Sequence, residues 1–334
     1  MGRGVAYARS TGAWARHWVA FVVGAFLAVG SGLLAQSPSV PRTVLHGEDL
    51  GPADVGPAAA GYGQLRGPFP GTEIRDGRVY PFAREVPATA RYDGFEVAGP
   101  HLLIEGVAFD GPLDIYATKP VVLRGVSVRT SKAAYWAIHT RPGAGALYLL
   151  WSDAGAARTD GAPLDRTHAL DRALYLRADR ATVHRSRISR TADGIQVHAV
   201  GAIVSETLID DLVFWVRDHN DGIQMLGRGA DLVVVRSRIV NRNPQTSCLN
   251  LIGELVRVED TYLAGGGWVI YAGANANGHK AGPARHVVIR NVVFGRTYFP
   301  RSGHFGPVAY WDGSSGTGNI WERNRFDDGR PVLP

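Results

Sequence analysis

From about residue 93 onward, short β-branched runs alternate with breaks rich in Gly and Asn, and the runs fall on one recurring pattern. An aliphatic residue is followed five positions later by another apolar residue, in the pairs Ile104/Phe109, Leu123/Val128, Val183/Ile188, Val204/Ile209, Val234/Ile239, Val258/Leu263, Ile289/Phe294 and Trp321/Phe326. Three positions after the first member stands Val107, Val126, Ser186, Thr207, Ser237, Thr261, Val292 or Asn324. Successive anchors are 19, 60, 21, 30, 24, 31 and 32 residues apart, which predicts an irregular all-β solenoid with one winding per step. The 60-residue step is expected to hold two or three windings plus a loop. No apolar stripe at helical spacing accompanies these runs, so helical repeats are excluded. Propeller blades need four strands each, for which a unit of 19 or 21 residues is too short.

A second register runs parallel to the first. Asp193-Gly-Ile-Gln-Val197 and Asp221-Gly-Ile-Gln-Met225 lie 28 residues apart, and Ser247-Cys-Leu-Asn-Leu251 follows 26 residues later in the same relative place. Ala137-Ile-His-Thr140 and Ala173-Leu-Tyr-Leu176 fit the register upstream. Strand alternation turns each Ile or Leu inward and the next residue outward, so His139, Tyr175, Gln196, Gln224 and Asn250 are expected to form a ladder on one outer face.

These repeats resemble the right-handed parallel β-helix proteins of the pectate-lyase-like superfamily over about residues 93 to 328. The expected fold is therefore a single-stranded right-handed parallel β-helix of about nine to ten coils. Many members of that superfamily are secreted polysaccharide lyases, glycoside hydrolases or uronate epimerases, and others are non-catalytic, so the resemblance implies a carbohydrate-facing groove without naming the reaction.

The flanking sequence has a different texture. Residues 36–92 are rich in Pro, Gly and Ala and read as a linker and N-terminal cap, and 329–334 as a tail. Residues 1–35 carry Arg3, Arg9 and Arg16 ahead of an apolar run from Trp18 to Ala35, which reads as a signal peptide or, uncleaved, as a membrane anchor. The rest of the chain is then expected outside the cytoplasm, touching a membrane only through that segment. Of the formal charge of +6, those three arginines have no acidic partner within the segment, and without them the excess is +3. So small an excess argues against nucleic acid, which needs a dense basic stripe. The single cysteine, Cys248, forbids an intrachain disulfide and reads as a small buried hydrophobe.

The densest polar cluster is Arg217-Asp-His-Asn-Asp-Gly-Ile-Gln224, preceded one winding earlier by Arg190-Thr-Ala-Asp-Gly-Ile-Gln-Val-His198. Strands in a stack lie about 4.8 Å apart, so Asp193 and Asp221 are expected roughly 5 Å from each other, where two carboxylates share a proton or bind a cation. One would act as general acid or base and the other as its electrostatic partner, with His219 or His198 as the second proton carrier. Arg190 and Arg217 would neutralise a uronate carboxylate and so ease removal of the adjacent proton. Gln196, Gln224, Asn250, Tyr175 and Tyr271 complete the candidate binding face. Asp193, Asp218 and Asp221 are compatible with Ca2+ where they converge, although nothing like an EF-hand loop accompanies them. Thr-x-Asp-Gly and Asn-Asp-Gly also resemble the Asn-Thr-Asp-Gly stretch of polygalacturonase-type hydrolases, but no Asp-Asp strand, Gly-His-Gly or Arg-Ile-Lys follows. Asp210-Asp211 reads instead as an exposed turn, and His279, Lys280 and His304 as residues of Gly-rich loops.

Two functions of different class follow. One is a secreted enzyme acting on an acidic polysaccharide, most simply a lyase using Asp193, His219 and Asp221, with a hydrolase as its sibling. The other is a non-catalytic protein that binds a cell-surface glycan or mediates adhesion. In that purely structural alternative Asp-Gly is turn chemistry and the amide ladder satisfies itself.

Overall fold

The computed structural model describes residues 46–157, 170–213, 219–226, 230–273 and 284–334. Almost every element in them is a β-strand, and the strands are stacked in parallel. They form one sheet of ten strands and one of seventeen, beside a small antiparallel pair of Ala90–Tyr92 with Phe95–Val97, and the larger sheet consists of two ladders joined through the long strand Val107–Ile115, which pairs with both Ser127–Thr130 and Ala134–Thr140. The chain thus visits a first, a second and a third ladder in turn, in a β-helix-like, solenoid-like architecture.

The five-residue spacing has a local cause. Each anchor residue and its successor end a strand of the first ladder, and the next residue adopts a left-handed conformation. The residues concerned are Gly106, Gly125, Trp151, Arg185, Glu206, Arg236, Asp260, Asn291 and Arg323, with φ between 47° and 63°. Only two are glycine, although this conformation costs an L-residue roughly 1–2 kcal/mol. The compensation is visible in the hydrogen bonds. The corner N–H of Arg185, for example, reaches Ser205 O at 3.1 Å, and that of Glu206 reaches Val235 O at 3.0 Å. The residue after the corner then turns inward, where its hydroxyl accepts the N–H of its counterpart one strand earlier. Ser152 Oγ accepts from Val126 N (3.0 Å), Ser186 Oγ from Ser152 N (3.1 Å) and Ser237 Oγ from Thr207 N (3.2 Å). A buried polar row is thereby satisfied inside an otherwise apolar core.

All eight anchor pairs sit in register as expected. Val183, Val204, Val234, Val258 and Ile289 are successive partners in the first ladder. Ile188, Ile209, Ile239, Leu263 and Phe294 are successive partners in the second. The 60-residue step holds two windings, within the expected two or three: among the described residues one set, Leu147–Leu150 and Asp153–Ala156, divides it in these two ladders. Its anchors are Leu149 and Ala154, with Ser152 between them; alanine at the second anchor weakens the apolar signal.

Within the Pro/Gly-rich stretch, Arg66–Ile74 is a strand paired in parallel with Val107–Ile115, and Ala83–Val86 pairs antiparallel with His101–Glu105. Phe69, Tyr80, Phe82 and Phe109 pack as an aromatic cluster at this end. Residues 46–66 run along the corners, with Gly47 N–H bonded to Asp260 O and Gly56 N–H to Arg185 O. Cys248 is fully buried. Among the described residues no helix is long and apolar enough to cross a membrane; Trp18 to Ala35 lie outside them.

The hydroxyl row yields a direct expectation. Ser237→Ala leaves the Thr207 N–H without an acceptor and should destabilise the fold by about 1–3 kcal/mol, read as a lowered thermal transition. Ile223→Asp places an unpaired charge at a fully buried core position and should abolish soluble expression, since such burial costs several kcal/mol.

Candidate functional site

The paired Asp-Gly motifs open two strands of the third ladder. Glycine is required there because the backbones approach closely: a Cβ on Gly222 would lie 2.3 Å from Ile239 Cγ2 and 2.5 Å from Cys248 O, and one on Gly194 would lie 2.4 Å from Gly222 O. The expected outer ladder is present, with His139, Tyr175, Gln196, Gln224 and Asn250 as successive register partners, and Tyr271 extends it by one rung. It is more enclosed than alternation alone suggests: His139, Gln196, Gln224 and Asn250 are all buried. Rungs about 4.8 Å apart stack side chains against one another and hide their flanks. Gln196 Nε2 donates to Gln224 Oε1 at 2.7 Å, which is the self-satisfying amide pairing of the structural alternative.

Asp193 and Asp221 come together beside this ladder. Asp193 Oδ1 accepts the Asp221 N–H at 2.9 Å. Asp221 accepts the Ser247 hydroxyl on Oδ1 at 2.5 Å and the Asn250 amide on Oδ2 at 3.4 Å. Asp221 is 0% and Asp193 6% exposed. Burial, followed by the charge of Asp221, holds the Asp193 carboxyl well above the usual range. Burial also pushes Asp221 up to about 6, against the opposing pull of the Ser247 and Asn250 hydrogen bonds and of His219. His219 itself is exposed. Asp221 in turn raises the pKa of Tyr271, second to burial, which puts Tyr271 within electrostatic range of the pair.

The other expected residues divide. Tyr175 and His198 meet edge to face at 5.3 Å, and Tyr271 stacks on the exposed Tyr310 at 6.0 Å. Arg190 does not join the pair: it is a left-handed corner residue whose guanidinium binds Asp211 at 3.3 Å beside the second ladder. Asp210 and Asp211 are half-buried partners of Arg187, Arg190 and Arg242 rather than an exposed turn. Arg217, Asp218, His279 and Lys280 lie outside the described residues. Among the described residues no group of three His, Cys, Asp or Glu is placed to hold a metal ion, so a Ca2+ site at Asp193 and Asp221 would depend on ligands from elsewhere.

No family model, no curated protein and no solved structure matches the chain.

Sequence reasoning missed two groups. Ser247, the closest partner of Asp221, occupies the Asp position of the third repeat, Ser247-Cys-Leu-Asn-Leu251. Arg172 occupies the same position of an earlier repeat and is the register partner of Asp193 on one side and Trp136 on the other. Extending the Ala173-Leu-Tyr-Leu176 match by one residue would have found it. Around it lie Trp136, His139 and Tyr175, with ring centroids 4.4 Å (Trp136 to His139) and 4.6 Å (His139 to Tyr175) apart.

The raised pKa of Asp221 has a sign that stability can report. Its protonated form is favoured in the fold, so the stabilisation is complete below the unfolded carboxylate value near ~4 and is lost as pH rises through about 6. Asp114, Glu105 and Glu206 are shifted down and lose stabilisation only as the solution becomes more acidic. Asp221→Asn keeps the Ser247 bond, and a flipped Asn250 can present its buried, unpartnered Oδ1 to the new amide. Between pH 5 and 7.5 the variant should therefore gain roughly 1–2 kcal/mol on the wild type, read from denaturation at the two pH values.

Proposed function

We propose that the chain is a secreted, right-handed parallel β-helix protein of the pectate-lyase-like kind that cleaves an acidic polysaccharide by β-elimination on the outer face of the third ladder. The supporting observation is the Asp221 carboxyl, raised to about 6 beside exposed His219 and flanked through Asp193 by Arg172. A group titrating near neutral pH on a face lined with aromatic rings and arginine is suited to proton transfer on a uronate. In this reading the His219 imidazole takes the proton from the carbon next to the substrate carboxylate. The electron pair becomes the new carbon–carbon double bond, and the glycosidic oxygen leaves and takes a proton from the imidazolium. Ionised Asp221 stabilises that imidazolium, Asp193 tunes Asp221, and Arg172 replaces Arg190 as the group that neutralises the substrate carboxylate.

Binding without turnover is the second reading, favoured by the complete burial of Asp221 and by the Gln196–Gln224 pairing. Incubation with acidic and neutral glycans separates the two: new reducing ends with unsaturated-uronate absorbance support the lyase, reducing ends alone the hydrolase, and neither with retained binding the binder. For the lyase, the rate should rise with pH through about 6 as Asp221 ionises. Asp221→Asn should lower turnover at least ~100-fold and abolish that limb without lowering the thermal transition. A variant that keeps both rate and pH profile moves the chemistry away from Asp221.

A further inference from the structure

We infer that the third ladder carries a seat for the oxyanion of an acidic sugar, built from His139, Arg141, Arg172 and His198 around the rings of Trp136 and Tyr175. This rests on the carbohydrate reading above but not on its chemistry. Nε2 of His139, Nε of Arg141, Nε of Arg172 and Nε2 of His198 are buried without a hydrogen-bond partner. His139 is 1% exposed, and its Nδ1 faces Asp114 Oδ1 at 3.3 Å, which leaves Nε2 as the ring nitrogen open to a ligand. A buried donor left unpaired is costly, so several on one face point to a ligand that supplies acceptors.

The charges select which acceptor. Asp114 balances Arg141, its oxygen 2.7 Å from Nη2, whereas the contact of Arg172 with Asp171 is 3.8 Å long. Arg177 adds a further exposed cation over Tyr175. The guanidinium of Arg141 lies 5.2 Å from the Trp136 ring centroid and that of Arg172 5.0 Å from that of Tyr175. A planar donor beside an aromatic face fits a sugar ring bearing a carboxylate or sulfate, whose oxygens take the donors while its apolar face meets the ring. A neutral sugar could offer hydroxyl oxygens to those donors but no charge to balance Arg172 and Arg177, so the acidic ring is favoured by charge. Because Arg172 is in register with Asp193, the seat is one rung from the carboxylate pair.

The test is calorimetric titration of the full chain with oligogalacturonate, a sulfated dextran oligosaccharide and a maltooligosaccharide. At least one acidic probe should bind ten or more times tighter than the neutral one, and the preferred acid identifies the oxyanion. Arg172→Gln and Arg141→Gln should each weaken that binding at least tenfold. Arg257→Gln, on the first ladder and paired with Glu259, should not. Should Arg172→Gln fail to fold, Arg172→Lys and His139→Gln take its place, with intermediate losses expected. Equal affinity for the neutral probe, no binding of either acid, or arginine variants that bind like wild type would overturn the inference. Acid-specific binding with no turnover on any glycan leaves the seat standing and removes the lyase; turnover with unchanged KM in Arg172→Gln does the reverse.

Discussion

Every parallel strand of the first ladder hands the chain to the second through one left-handed residue, and the rest of the architecture depends on that corner being tolerated. Residues as large as Trp151, Arg185 and Arg323 adopt it because the cost is local and the return is shared along the stack. The corner N–H groups bond from strand to strand, and the hydroxyls of Ser152, Ser186 and Ser237 absorb the donors that the sharp bend would leave unpaired. Outside, the same corners bring opposite charges together: Glu206 receives Arg185 at 2.6 Å and Arg236 at 2.9 Å.

A stack held in this way places side chains with little freedom, and the candidate site is a consequence. On the third ladder each repeat contributes one residue at the Asp193 position and another at the Gln196 position, so chemistry varies along two rows of regular spacing. One row runs Trp136, Arg172, Asp193; the other runs His139, Tyr175, Gln196, Gln224, Asn250, Tyr271. Arginine, carboxylate and aromatic rings thus occupy neighbouring rungs without any loop having to bring them together. The close approach at Gly194 and Gly222 sinks the carboxylates below the surface, and that burial, rather than their mutual charge alone, lifts their pKa values.

The anchors from Val183 to Ile289 and the repeated Asp-Gly-Ile-Gln made the ladders legible in the chain, because a buried parallel stack demands an apolar residue at each inward position and glycine at each close contact. Leu149/Ala154 escaped notice because a small alanine suffices at that point of the core. The pairing of Asp193 with Asp221 could be read from their common register. The departure of Arg190 to Asp211 could not, since sequence proximity says nothing about which side of a corner a long side chain takes. Sequence by itself determined the all-β repeat, its register and the row from His139 to Asn250, for these follow from alternation and spacing. Tertiary structure alone decided that His139, Gln196, Gln224 and Asn250 are buried, that Arg172 rather than Arg190 stands beside the carboxylates, and that His139 meets Trp136 and Tyr175, because those facts depend on residues distant in sequence meeting across rungs.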